Sequence, residues 1–137
     1  MKKTNILNKL RSSGLRPTKQ RVEIAKFLFN REKTFHFTIE SLNKHLIKKT
    51  NTKFALATIY NTVHAFKKAG HLNEVYLKGK NNKTYFDTNI SNHHHFYDIE
   101  NSELIDINEN EIKFEKIPKA PNGKSIKNLE VIINIKN

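Results

Sequence analysis

The chain has 137 residues, no cysteine and a formal net charge of +12. The charge is unevenly placed: residues 1–90 hold 19 Lys/Arg and 5 Asp/Glu (19 − 5 = +14), whereas residues 91–137 hold 6 and 8 (6 − 8 = −2). The lack of cysteine excludes disulfides, thiolate zinc sites and thiol catalysis, which leaves histidine and carboxylates as the strong metal ligands. The basic first part predicts a polyanionic partner, nucleic acid before a membrane surface.

The length allows one domain or two very small ones. We find no run of 18 apolar residues that would predict a membrane span. The first 16 residues, MKKTNILNKLRSSGLR, are positively charged but lack the apolar core of a signal peptide, so we expect a cytoplasmic protein.

Three helical segments are predicted in the first 50 residues. The first covers about residues 4–12 and is closed by Gly14. Thr18 can cap the second segment, in which apolar residues cover most of the circumference, as expected of a central buried helix. Thr38 can cap the third, where apolar residues recur at helical spacing.

A further helix is predicted in ALATIYNTVHAFKKAG, residues 55–70. Its apolar stripe consists of Leu56, Ile59, Val63 and Phe66, and Gly70 is well placed to end it. The rest of the helix surface carries polar side chains that can reach base edges or phosphates in a DNA major groove. These DNA-contacting candidates are Thr58, Tyr60, Asn61, His64 and Lys68. An ordinary solvated helix face is the alternative interpretation.

The segment LNEVYLKGKNNKTYFDT, residues 72–88, predicts two strands around a turn rich in Gly, Asn and Lys. Helices followed by a basic hairpin are typical of a winged helix-turn-helix domain. In such a domain the last helix before the hairpin, here residues 55–70, lies in the DNA major groove. Lys78, Lys80 and Lys83 of the wing would then lie along the DNA backbone.

Three consecutive histidines, residues 93–95, precede a segment with alternating apolar residues. In a strand, His93 and His95 share one face and His94 lies on the other. Asp106 could approach the first face, because ENSE between the two segments predicts a hairpin turn. Two imidazoles and a carboxylate on one face suit a metal ion, but a merely polar surface is the alternative.

The acidic last part predicts a small sheet. The segments HHHFYDI and ELIDI predict two strands. Asn108 and Glu111 form a weak capping signature for a short helix that Pro118 would end. The segment NLEVIINIKN fits another strand. About 45 residues bury little core, so we expect a second subunit to complete the sheet. Ile132 is a candidate for that contact.

Five segments of the sequence together resemble one known family. The segments GLRPTKQRVEIAKFL, HFTIESL, ALATIYNTVHAFKKAGHL, YFDT and HHHFY resemble the ferric uptake regulator superfamily in order and spacing. The resemblance implies an α+β chain, with a winged helix-turn-helix domain in residues 1–86 and a small α/β dimerisation and metal- or haem-sensing domain in residues 87–137. It also implies that Tyr60 contacts bases and that Arg16 reaches the minor groove.

The likeness is closer to the iron response regulator branch, through TYFDTN, SNHHHFYDIENSELIDI and PKAPNG. That branch senses iron status through haem. The cysteine pairs that hold structural zinc in many members are missing, and so is a Cys-Pro haem motif. Any haem must therefore be ligated by histidine, for which His93, His94 and His95 are the candidates.

The resemblance also implies a regulatory metal site at the domain junction. The matching positions are His36, Asp87, His93, His95 and Asp106. This donor set suits Fe²⁺, Zn²⁺ or Mn²⁺ and disfavours a metal that prefers soft ligands. Metal binding there could fix the angle between two DNA-binding domains.

The resulting prediction is a dimeric, non-enzymatic transcription regulator, chiefly a repressor, that binds an AT-rich operator and controls iron or haem homeostasis genes. The alternative from another class is a zinc hydrolase that uses His93, His95 and Asp106. It is disfavoured because the sequence has no HExxH, no nucleophile elbow and no Gly-rich phosphate loop. A nonspecific nucleic-acid-coating protein is a third possibility, but Phe27, Phe29 and Phe66 fall in apolar helix stripes rather than on a stacking surface.

Overall fold

A computed structural model of the chain describes residues 5–77 and 83–137. The chain divides into two compact units, Met1–Ile90 and Ser91–Asn137. The sequence prediction ended the first domain at residue 86, whereas the first unit includes Asp87, because this residue is paired within a sheet of that unit. No helix in the described ranges combines the length and the apolar character that crossing a bilayer would need.

The first unit contains four helices and three short strands among its described residues. They are α1 (Ile6–Ser12), α2 (Lys19–Phe29), β1 (His36–Phe37), α3 (Ile39–Thr50), α4 (Leu56–Lys68), β2 (Asn73–Tyr76) and β3 (Thr84–Asp87). The strands form an antiparallel sheet in the order β1-β3-β2. The hairpin of β2 and β3 is the predicted wing, and β1 is an added strand that the sequence did not indicate. Lys78 and Lys80 lie outside the described residues, and Lys83 is exposed.

The helix starts follow the predicted capping residues. The Thr18 hydroxyl accepts a hydrogen bond from the Arg21 amide at 3.3 Å. Thr38 and Ser41 form a reciprocal capping box at the start of α3. Each cap satisfies backbone N–H groups that have no partner within the helix. At the other end of α4, Gly70 has a φ of +87°, a left-handed conformation that favours glycine and ends the helix.

One hydrophobic core holds the first unit together. Its fully buried side chains come from every helix and from the sheet: Leu10, Ile24, Leu28, Phe37, Leu42, Leu46, Ile59, Val63, Phe66 and Phe86. Leu56, which the sequence placed in the apolar stripe of α4, was wrongly assigned, since it is 56% exposed. It opens the helix one turn before Ile59, and Phe54, just before the helix, is buried instead.

The second unit is built around a three-stranded sheet in the order β5-β4-β6. Its strands are β4 (His94–Asp98), β5 (Glu103–Ile107) and β6 (Ile132–Ile135), with β5 antiparallel and β6 parallel to β4. The helix predicted after Asn108 was wrong: only a single 3-10 turn, Glu109–Glu111, is formed. Between this turn and β6 the chain forms no helix or strand, and the Phe114 ring lies 5.9 Å from the His94 ring between centroids.

The strand register gives this sheet two different faces. His95, Asp106 and Ile132 are cross-strand partners and therefore share one face. Phe96, Ile105 and Ile133 are partners on the other face, where Ile105 is 45% and Ile133 39% exposed. The residue that we expected at a subunit contact, Ile132, thus lies on the histidine face, and the exposed apolar face is the opposite one.

Candidate metal centre and nucleic-acid interface

The first unit presents one imidazole and one carboxylate as a pair. His36 and Asp87 are opposite each other in the β1–β3 register, and His36 Nε2 lies 3.2 Å from Asp87 Oδ2. The other carboxylate oxygen accepts a hydrogen bond from the Asn89 amide at 2.8 Å. Asp87 is completely buried, so its charge needs such partners. The loop beside it is fixed by the Thr88 hydroxyl, which accepts from the Phe35 amide.

The second unit presents two imidazoles around a single carboxylate oxygen. Asp106 Oδ1 lies 3.2 Å from His93 Nε2 and 3.3 Å from His95 Nε2. The two rings are 4.5 Å apart, and each of the three residues offers a ligand atom within 4.8 Å of the others. His95 is almost fully buried, whereas Asp106 is partly open to solvent. The sequence-predicted trio of His93, His95 and Asp106 is therefore assembled.

The far sides of both rings also face acceptors. His93 Nδ1 lies 2.7 Å from the Ser91 carbonyl oxygen, and His95 Nδ1 lies 3.2 Å from Glu130 Oε1. A neutral imidazole carries one N–H and cannot donate to acceptors at both nitrogens. With Nδ1–H donating to these acceptors, each Nε2 directs a lone pair toward the carboxylate oxygen, and a metal ion between them would accept the lone pairs of all three groups. The donors present thus fit a metal ion of the Fe²⁺, Mn²⁺ or Zn²⁺ type.

Glu130 and Ser91 are site residues that the sequence analysis missed. Ser91 acts through its backbone, which leaves no trace in residue type. Glu130 is the single carboxylate of the tail strand and lies two residues before Ile132, the β4 partner of His95. Residues two apart in a strand share a face, so Glu130 could have been assigned to the His95 face only if the parallel pairing of β6 with β4 had been known.

His94 has a different environment from its two neighbours. Its Nδ1 accepts a hydrogen bond from the Val131 amide at 2.9 Å, and the residue is 4% exposed. It thereby ties β4 to the tail that precedes β6. Of the three predicted haem candidates, His93 and His95 meet Asp106, whereas His94 is a packed residue on the other face of the sheet.

The predicted DNA-contacting side chains of α4 fall into two groups. Tyr60, 53% exposed, Asn61 and Lys68 project from the helix surface. Thr58 and His64 are partly buried, and the His64 ring lies between the Tyr60 ring at 4.2 Å and the Phe86 ring at 6.0 Å. The His64 ring therefore packs against the Tyr60 ring, and a direct DNA contact of His64 stays a prediction.

Arg16 is exposed in the turn before α2, where its carbonyl oxygen accepts from Arg21 Nη1 at 3.0 Å. That hydrogen bond uses the Arg16 backbone and leaves its guanidinium in solvent. The position is open to an anionic partner.

The sequence model of the ferric uptake regulator family matches residues 12–134, nearly the whole chain. The chain belongs to this family. The ferric uptake regulator family consists of transcription regulators and not enzymes, which removes the zinc hydrolase alternative.

Relatives agree with this assignment. The chain is similar to the ferric uptake regulation protein of Synechococcus elongatus, with 30% identity over 97 residues, which are 71% of this chain. The match spans 65% of the length of that relative. The fold of the present chain is similar to that of the ferric uptake regulator of Pseudomonas aeruginosa with manganese (TM-score 0.73, 23% identity, 98% of each chain). It is also similar to the Vibrio cholerae ferric uptake regulator (TM-score 0.70, 20% identity, 96% of this chain and 98% of the other). The predicted α+β fold class is confirmed.

Proposed function

We propose that this chain is a metal-responsive, DNA-binding transcription regulator that acts as a homodimer and chiefly as a repressor. The observation that carries the proposal is the arrangement of His93 and His95 around Asp106, in which each ring has an acceptor at both nitrogens. Such a cluster could hold a metal ion, and membership of a family of transcription regulators supports a regulatory role for that ion.

The proposed ligand set of the regulatory ion is the one that the family resemblance names: His36, Asp87, His93, His95 and Asp106. Two observations support it. His36 and Asp87 form a donor pair in the first unit, and the other three form a donor trio in the second. When bound, the metal would supply positive charge to which the imidazole nitrogens and carboxylate oxygens coordinate.

The proposed DNA-binding surface is the exposed part of α4 together with the turn that carries Arg16. Residues 1–90 have a net charge of +14, which gives phosphate attraction without sequence preference. Tyr60 and Asn61 supply the base-edge contacts, while Thr58, Lys68 and Arg16 supply contacts to the backbone or the minor groove. His64 positions Tyr60. An AT-rich operator remains part of this proposal.

The proposed dimer contact is the apolar face of the second sheet. Phe96, Ile105, Ile133 and Ile135 belong to this face by the strand register, and two of them are more than a third exposed. The second unit has only 47 residues, Ser91–Asn137, and few fully buried apolar side chains. A second copy of the chain would cover the face and complete the core.

Iron is the proposed physiological metal, in line with the resemblance to the iron response regulator branch. The related Pseudomonas aeruginosa structure contains manganese, which prefers the same nitrogen and oxygen donors. Haem ligation by His93, His94 and His95 stays a prediction. Haem titration into a His93→Ala/His94→Ala/His95→Ala variant checks it, because an unchanged Soret band would remove these ligands from consideration.

The test is DNA binding by the full-length chain, measured by fluorescence anisotropy on a duplex selected from a random pool. We expect Mn²⁺ or Fe²⁺ to change the affinity at least about fivefold, the usual size of coupling between two sites. His95→Ala should abolish the response. His45→Gln removes an exposed imidazole that is outside the cluster and should keep it. Equal metal responses in both variants would refute the sensing role of the cluster.

A further inference from the structure

A basic cavity lies in the first unit, between the end of α2, the loop that follows and the end of α3. Its volume is about 420 Å³, within the range that accommodates small ligands. Four cationic side chains, Lys26, Arg31, Lys33 and Lys49, and one carboxylate, Glu32, line it (4 − 1 = +3). None of these residues belongs to the proposed metal site or to the exposed face of α4.

Arg31 is held in an unusual way. Its guanidinium carbon lies 3.9 Å from the centre of the Phe35 ring and 5.1 Å from that of Phe27. These cation–π contacts hold the guanidinium against two aromatic rings. Its Nη1 is shielded from water, and no acceptor in residues 5–77 and 83–137 reaches it. Burial also lowers the pKa of Arg31 from its usual range.

A shielded guanidinium N–H without an acceptor is costly, because it has lost water and gained no hydrogen bond. Most such groups in proteins have a partner. Arg31 itself lines the adjoining cavity, which provides space for an anion beside the guanidinium. Lys33 and Lys49, both exposed at the cavity, would add charge around an anion.

We propose that this cavity binds a small phosphorylated molecule, with the Arg31 guanidinium as the principal ligand of the phosphoryl group. A planar guanidinium pairs with two phosphoryl oxygens at once, which an ammonium cannot do. The aromatic rings hold Arg31 ready for this contact, so little side-chain freedom is lost on binding. The site would give the regulator a second effector beside the metal ion.

The experiment is calorimetric titration of inorganic pyrophosphate into the full-length chain at constant ionic strength, without added divalent metal. We expect one binding site per chain. Arg31→Gln should weaken binding by about tenfold or more, as for the loss of a charge-assisted hydrogen-bond pair. Arg31→Lys keeps the positive charge but lacks the planar guanidinium that can pair with two phosphoryl oxygens, so it should recover only part of the lost affinity.

A second pair of variants keeps the test valid if Arg31 variants fold poorly. Lys49 and Lys48 are adjacent, exposed and in the last turn of α3, but only Lys49 lines the cavity. Lys49→Gln should weaken pyrophosphate binding by about threefold to fivefold and Lys48→Gln by less than about twofold.

Three results would overturn the proposal. The first is no pyrophosphate binding by the wild-type chain, and the second is an equal loss in the Lys48 and Lys49 variants, which would indicate charge attraction alone. The third comes from the anisotropy assay: if Arg31→Gln weakens DNA binding and leaves pyrophosphate binding unchanged, the anion at Arg31 is the DNA backbone.

Discussion

The two units of this chain are stabilised in different ways. The first has a continuous core to which all four helices and the sheet contribute. In the second, Leu104 and Ile107 are the buried hydrophobic residues among those described, and His94 and His95 are buried beside them. The first unit therefore has a core of its own, whereas the second unit depends on histidine contacts and, in our proposal, on a second copy of the chain that covers its apolar face. We therefore expect metal binding and self-association to contribute more to the stability of the second unit than to that of the first.

The largest expected effect is on the core of the first unit. Phe66 is fully buried, and its ring lies 5.6 Å from that of Phe29. Phe66→Ala should lower the free energy of unfolding by about 3–5 kcal/mol, from lost burial and the cavity left behind. Leu104→Ala in the second unit should cost less, about 2 kcal/mol, because its surroundings can relax. Chemical denaturation measures both, and a larger loss for Leu104→Ala would reverse the comparison.

The next effect concerns the apolar sheet face. Ile105→Asp should weaken self-association by about a hundredfold, because a carboxylate would be buried against apolar side chains of the partner. Light scattering during size-exclusion chromatography across a concentration series gives the result. Ile47→Asp is the matched control, since Ile47 is 40% exposed in the first unit. Association that is equally sensitive to both substitutions would place the dimer contact elsewhere.

A smaller effect is expected from Glu130, which faces Nδ1 of His95. Glu130→Gln should reduce metal affinity by about tenfold, because loss of the anionic acceptor makes His95 a weaker ligand. Glu109→Gln removes an exposed carboxylate from the same unit and serves as the control. Isothermal titration with Mn²⁺ compares them. Identical affinities would show that Glu130 contributes only to packing of the tail.

The smallest expected effect is a pH dependence of the folding stability that arises from His71 in the first unit. Burial, followed by the nearby charge of Lys9, lowers the pKa of His71, whose Nε2 lies 2.8 Å from the Ser13 hydroxyl. The unfolded chain therefore binds the proton more readily, and stability should fall as the pH drops below about 6.5, the ordinary histidine value. His71→Gln should flatten this dependence in thermal unfolding measured from pH 5 to 8. A steeper profile in the variant would contradict the assignment.

Local signals predicted most of the first unit. Thr18, Thr38 and Gly70 mark helix ends by their own side-chain and backbone preferences, and the observed boundaries follow them. Leu56 was misplaced because a helical stripe does not reveal where the neighbouring core ends. β1 was missed because two residues carry no periodicity.

The second unit was predicted less completely because its structure depends on contacts distant in sequence. The spacing of His93 and His95 on one strand face, together with the predicted turn before Asp106, was enough to predict that these three residues meet. Glu130 could not be assigned, since its contact with His95 spans 35 residues and depends on a parallel pairing. Asn108 does cap a turn, but this turn is a single 3-10 turn, and the chain that follows packs Phe114 against His94 instead of continuing as a helix.

The most direct test of the account is the number of Mn²⁺ ions bound per chain, counted by electron paramagnetic resonance of untagged protein. The wild-type chain and the His45→Gln control should each bind one ion tightly. A His93→Ala/His95→Ala variant, which removes both imidazoles at Asp106, should bind none at the same concentration. Undiminished binding by this variant would contradict the assignment of the histidine cluster as the metal sensor.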